Sequence, residues 1–320
     1  MKILRLITLC IIALMLLYPA FAKSPEKAKI AFVSRDMDSW GIDMINPDGS
    51  DCVNLIQRTG SINQLAWSPS GEQILFGARN NNGLHDIFIM EADGTNDQPL
   101  FKAQNYKREP AWAPDGKKIA YMAYSKILSA WHIHIATTDG QSVEPIIPVD
   151  RLGGDPAWSP DGTEIAFVMA AFQKREIYIY NLETDTQEKL LQIESPWMLL
   201  PTWAPDGKKI AFYLSGIGRQ RGIYTANRDG TELQLVAEID TRVYSLTWSP
   251  SGDELLYTKP AEIDNSGQLF TVNLKTREIN QLTDAGYNFD AIWFDPSPSS
   301  LSVSPSESLL TTWGRIKNRN

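Results

Sequence analysis

Three carboxylates recur at one position of a regular pattern, and their chemistry is the first question the sequence raises. The position three residues before each of six evenly spaced tryptophans reads Gln64, Glu109, Asp155, Leu200, Ser245 and Asp290. If these side chains face a common axis, Glu109, Asp155 and Asp290 could hold a hard cation such as Ca2+ through oxygen ligands. Leu200 interrupts that ring. No other cofactor is expected. His132 and His134 stand two apart on one strand and so point to one side of a sheet, but no third ligand has a matching spacing. They are expected as a pair packed or exposed on a mid-blade strand, and His85 as a solvated loop residue. Cys52 stands without a neighbouring base, and no Gly-x-Ser-x-Gly elbow or phosphate-cradling glycine loop is present. Nucleophilic catalysis and nucleotide binding therefore have no support.

A second set of residues suits recognition. Arg175, Arg219, Arg221 and Arg242 fall with Trp131, Trp197 and Tyr244 in segments that vary from repeat to repeat. Exposed aromatics among arginines are the composition of binding hot spots. These segments hold 13 basic and ten acidic residues, in a chain that is otherwise strongly acidic.

The elements that must carry these residues follow from the tryptophans. Trp67-Ser-Pro-Ser-Gly71, Trp112-Ala-Pro-Asp-Gly116, Trp158-Ser-Pro-Asp-Gly162, Trp203-Ala-Pro-Asp-Gly207, Trp248-Ser-Pro-Ser-Gly252 and a degraded Trp293-Phe-Asp-Pro296 are separated by 45, 46, 45, 45 and 45 residues. A period of about 40–50 residues is that of a four-stranded propeller blade. Within each unit, strand A leads into the tryptophan and strand B follows as in Ile119-Ala120-Tyr121. Strand C is of the type Ile177-Tyr178-Ile179, and strand D is read from pairs such as Leu100-Phe101, Leu190-Leu191 and Leu235-Val236, or from Leu282 alone. Pro-Asp-Gly and Asp-Gly turns join A to B and C to D. Glu183-Thr184-Asp185 and Lys275-Thr276-Arg277 lack the glycine, so those two turns must differ.

Strands B, C and D first appear before any tryptophan, at Ile30-Ala31-Phe32, Ile42-Asp43-Met44 and Leu55-Ile56. The missing A strand is supplied by residues 290–293. The expected fold is therefore all-β, a six-bladed β-propeller of four-stranded blades closed by pairing of N- and C-terminal strands. The A–B and C–D turns lie on one face, and the variable B–C and D–A loops lie on the other.

Pro-Ala-Trp-Ser-Pro-Asp-Gly-x-x-Ile-Ala-Phe and the later Ile-Tyr-x-x-x-x-Asp-Gly resemble the repeats of the TolB-like six-bladed β-propeller family over about residues 28–296. That resemblance implies the fold and a periplasmic setting. The chain departs from family members with an α/β domain ahead of the propeller, since only Lys23 to Ala28 precede its first repeat. The same repeat accompanies serine-peptidase domains, for which no second α/β region is present here, and some polysaccharide lyases.

The flanks complete the organisation. Lys2 and Arg5, the apolar run Leu6–Leu17 and Ala20-Phe21-Ala22 read as a signal peptide over 1–22, cleaved after Ala22. The propeller is assigned to 23–296. Residues 297–320 form a Pro/Ser-rich linker and tail that packs on or extends it. Beyond the leader, 28 basic residues face 38 acidic ones, a formal charge of −10 that disfavours nucleic acid or anionic membrane. With Cys52 the only mature cysteine, no internal disulfide forms. The expected protein is exported, not membrane-spanning and non-catalytic, and binds a protein or peptide partner through its loop face and channel mouth. The competing expectation is a channel-based enzyme or carbohydrate binder, lyase- or lactonase-like, with a divalent cation.

Overall fold

A computed structural model describes residues 24–296, apart from 81, 103–105, 126–129, 141–142, 146–151, 172–173, 194–195, 217 and 262–265. The expected leader and tail lie outside the described residues. Among those described, all regular structure is β, and no helix is long and apolar enough to cross a membrane.

The first sheet contains β1 (Lys29–Arg35), β2 (Trp40–Ile45) and β3 (Val53–Arg58). The second runs β4 (Ile62–Trp67), β5 (Gln73–Arg79), β6 (His85–Glu91) and β7 (Gln98–Pro99). The third is β8 (Lys107–Trp112), β9 (Lys118–Ser125), β10 (Ala130–Thr137) and β11 (Val143–Pro145). The fourth is β12 (Leu152–Trp158), β13 (Glu164–Ala171), β14 (Lys174–Asn181) and β15 (Thr186–Lys189). The fifth is β16 (Pro196–Trp203), β17 (Lys209–Gly216), β18 (Gly222–Asn227) and β19 (Gln234–Glu238). The sixth is β20 (Ser245–Trp248), β21 (Glu254–Pro260), β22 (Gly267–Asn273) and β23 (Ile279–Gln281), after which β24 (Tyr287–Phe294) follows. All pairing within a sheet is antiparallel. One parallel bridge, Arg175 with Trp197, ties the fourth sheet to the fifth.

The pairing expected between the chain ends is present. β24 lies against β1 with Trp293 opposite Ile30 and Asn288 opposite Ser34, and completes the first sheet. The innermost strands pack in sequence, β4 on β8, β8 on β12, β12 on β16, β16 on β20 and β20 on β24, while β24 also packs on β4.

The apolar core lies between sheets. Ile177 and Val168 of the fourth sheet meet Phe212, Leu214 and Met198 of the fifth, and Ile30 and Phe32 of the first meet Leu256 and Leu269 of the sixth. Each repeat tryptophan adds a polar link. The indole N–H of Trp112 donates to the Ala66 carbonyl of the preceding sheet at 3.2 Å. Trp158, Trp203 and Trp248 repeat this bond to Ala111, Ala157 and Thr202. Spacing near 45 residues is thus the interval at which one blade caps the last.

Two readings of the sequence change in detail. Leu100-Phe101, Leu190-Leu191 and Leu282 follow the outer strands rather than form them. The outer strand is an edge facing water and is polar, as in Thr186–Lys189, whereas Leu190, Leu191 and Phe101 turn inward and are buried. The two glycine-free turns are one residue longer, closing by Asp185 N–H to Asn181 O and Arg277 N–H to Asn273 O. Asp185 and Arg277 take the left-handed conformation there, at φ 55° and 65°.

Candidate functional site

The recurring polar position sits at a defect in the innermost strand. Register slips between Asn63 and Ala66, Arg108 and Ala111, Gly154 and Ala157, and Leu199 and Thr202, and also where β24 meets β1. At each slip the residue three before the tryptophan has positive φ: Gln64 53°, Glu109 57°, Asp155 50°, Leu200 57° and Asp290 45°. A bulge re-aims a side chain. Left-handed backbone at Leu, Gln or Glu carries a strain of roughly 1–2 kcal/mol, so neighbouring contacts must hold it.

Those contacts run from blade to blade. Gln64 Oε1 accepts the Glu109 N–H at 2.9 Å, and Glu109 Oε2 accepts the Asp155 N–H at 2.7 Å. Asp155 Oδ2 accepts the Leu200 N–H at 3.3 Å. Asp290 Oδ2 accepts the Gln64 N–H at 3.0 Å, linking residues 226 apart. Ser245 Oγ takes the neighbouring Ala291 N–H at 3.0 Å. Leu200 has no acceptor to offer, so the chain of bonds is broken between it and Ser245.

All six inner strands line one cavity of about 680 Å3. Glu109, Asp155 and Asp290 stand in its wall with Arg108, Arg175 and Arg242; Trp40, Tyr244 and Phe289 are also in its lining. Burial and the neighbouring Asp155 push the Glu109 carboxyl up to about 7, against the pull of Arg108, whose Nε lies 3.2 Å from it. Burial raises Asp155 as well, opposed by the Leu200 N–H and the three arginines. Asp290 is pushed up to about 6 by burial, then by Asp155, with the Gln64 N–H and Arg242 opposing.

The arginines lie on aromatic faces. Arg175 stacks over Trp197 at 4.9 Å, Arg242 over Tyr244 at 5.5 Å and Arg108 over Trp131 at 4.2 Å. Tyr244 and Phe289 meet edge to face at 5.3 Å, and Trp40 leans on Phe289 at 6.1 Å. Trp197 remains 40% exposed.

Of the residues singled out for recognition, Arg175, Arg242 and Tyr244 line the cavity. Trp197 and Trp131 stand one contact further out, on Arg175 and Arg108. Arg219 and Arg221 are exposed and do not line it; Arg221 donates to the Asp240 carbonyl. Sequence reasoning did not select Arg108, Trp40 or Phe289, although Arg108 directly precedes a recurring polar position. His132 is buried and His134 stacks on Tyr121 at 5.7 Å, both outside the cavity lining. His85 opens β6 rather than lying in a loop, and packs on Tyr106 at 5.6 Å. Among the described residues, no three His, Cys, Asp or Glu side chains gather as a metal-ligand group.

Comparison with solved structures shows what this fold is similar to. TolB from Acinetobacter baumannii superposes with a TM-score of 0.73 at 18% identity, over 83% of this chain and 66% of that one. The chain thus spans just under two thirds of that relative's length. A chain of a nidogen/laminin complex superposes with a TM-score of 0.69 at 10% identity, over 84% of this chain and 99% of that one. An oligogalacturonate lyase in complex with manganese gives 0.51 at 16% identity, over 82% and 74%. At such identities the likeness is one of fold. No curated protein matches the chain. The sequence pattern of the TolB beta propeller domain matches residues 73–305, well over half of the chain, and the protein belongs to that family.

Proposed function

We propose that the protein is an exported, non-catalytic scaffold, a closed six-bladed propeller that captures a protein or peptide partner at its loop face and channel mouth. The β24–β1 pairing and the return of β24 onto β4 support the closed ring. In this reading residues 1–22 are a leader removed on export to the periplasm or beyond. Residues 23–296 form the ring, and 297–320 pack on it or extend it.

One observation carries the binding assignment: a single cavity touches all six inner strands and is rimmed by arginines stacked on aromatic rings. Its volume suits an extended segment or a few side chains. Exposed Trp197 and the neighbouring rim supply the flatter contact area of a protein interface. The test is affinity capture from envelope extract with the mature protein, against a Trp197→Ala/Arg242→Ala variant that melts at the parental temperature. Loss of the captured partner supports the assignment; undiminished capture overturns it.

A channel enzyme or carbohydrate binder would use the same cavity, with a divalent ion on Glu109, Asp155 and Asp290. What supports it is that all three carboxylates line that cavity, although they do not gather as one ligand group. Each already gives one oxygen to a backbone N–H, and the second oxygen of Glu109 pairs with Arg108. Stoichiometric divalent metal in the purified protein would favour this reading over the scaffold.

A further inference from the structure

Resting on the assignment of the channel mouth as the binding site, we infer that it recognises an anionic group, a carboxylate on an acidic segment of the partner. The charges that face one another across the cavity are the guanidiniums of Arg108, Arg175 and Arg242 and the carboxyls of Glu109, Asp155 and Asp290. The equivalent wall positions on the remaining strands are the uncharged Gln64, Leu200 and Ser245. Tyr244 adds a phenol, and His85 lies near Arg108, its value lowered by burial and by Arg79 and Arg108.

The two signs are not equally free. Each carboxyl has an oxygen committed to the N–H of a neighbouring blade. The guanidiniums of Arg175 and Arg242, by contrast, have neither a hydrogen bond nor an ion pair among the described residues; they lie on ring faces, within electrostatic reach of Asp155. Arg108 pairs with Glu109, yet its Nε is buried without a hydrogen-bond partner. A carboxylate accepts from such planar donors two bonds at a time. The unfilled capacity of the cavity is therefore that of a donor set awaiting an acceptor.

The test is calorimetry of the mature full chain with the peptide acetyl-Gly-Glu-Glu-Glu-Gly-amide and its all-Gln counterpart. The expected result is binding of the acidic peptide at least about tenfold tighter than that of the Gln peptide. Arg175→Gln and Arg242→Gln should each weaken it. Equal binding of the two peptides, or binding of neither, overturns the inference. Partner capture that still depends on Trp197 and Arg242 while the acidic peptide fails would sink the anion alone. Capture indifferent to those residues would sink the site itself.

Discussion

Glu109 serves two purposes with one side chain: it accepts a backbone N–H from the next blade and carries a buried, titratable charge into the channel. Its folded-state value of about 7 lies above the ordinary 4.5 of a free glutamate. The stability it contributes is therefore fully present below about pH 4.5 and is lost as pH rises through about 7. Asp290 acts in the same sense, with the loss completed near 6. Glu109→Gln keeps an oxygen for the Asp155 N–H and removes the charge. It should raise the melting temperature at pH 8, by an amount on the order of 1–3 kcal/mol in stability, and change little at pH 5. Thermal melts from pH 5 to 8 would check this; a parental curve that does not decline toward pH 8 contradicts it. His134 has the opposite sign. Burial and His132 lower its value, so its contribution is present above the ordinary histidine range and lost on acidification. His134→Gln should blunt any loss of stability below about pH 6.

At the scale of the strand and turn, the bulged inner strand does what a regular one could not. A flat strand alternates its side chains between blade faces; the left-handed residue breaks that alternation and sends Asp290 or Glu109 across to the next blade. Asp290→Ala would leave the Gln64 N–H without its acceptor, and should cost about 1–3 kcal/mol, read as a lower urea midpoint with an unchanged slope. The turn at Gly49 is equally specific. Its φ is 84°, and a Cβ there would lie 2.6 Å from the Leu282 carbonyl oxygen of the sixth sheet. Gly49→Ala should therefore weaken the contact between first and sixth sheets, where Asp185 and Arg277 solve the same problem with a longer turn. Much of this was legible. Tryptophan spacing, Pro-Asp-Gly corners and β-branched runs located strands A, B and C, because turns and pleats select residue types locally. The bulge was not legible, since Gln64, Glu109 and Leu200 carry no glycine or asparagine signal for positive φ. The outer strands were displaced because apolar pairs mark burial, and here burial begins where the strand ends. The polar ring was seen as a set of positions, but its purpose depends on bonds between residues about 45 apart, which no local pattern encodes.

For the whole molecule, the decisive feature is the seam. Elsewhere a turn proline packs beside the turn glycine of the next blade, as Pro114 does with Gly162. At the seam the degraded sixth motif puts Phe294 there instead, with its ring over Gly71 and 5.3 Å from Trp67. The Trp67 indole N–H, alone among the repeat tryptophans that open the five intact motifs, is then buried without an acceptor. The β24–β1 junction thus trades a hydrogen bond for aromatic packing, and Phe294→Ala should cost about 3–5 kcal/mol, seen in the thermal and urea midpoints. The same seam makes a stronger prediction by deletion. Removing residues 297–320 leaves every described strand pair intact. Removing 287–320 strips β24 from β1, exposes the backbone edge of β1, and takes away the Asp290 acceptor and the Ala291 packing against Ile30 and Leu256. An unpaired edge beside an opened core favours association between chains. Relative to the first truncation, the second should melt at least 10 °C lower, roughly the loss of several kcal/mol in a domain of this size, and should self-associate on a sizing column. If the shorter chain melts with the parent, closure by the last strand is not what holds the molecule together.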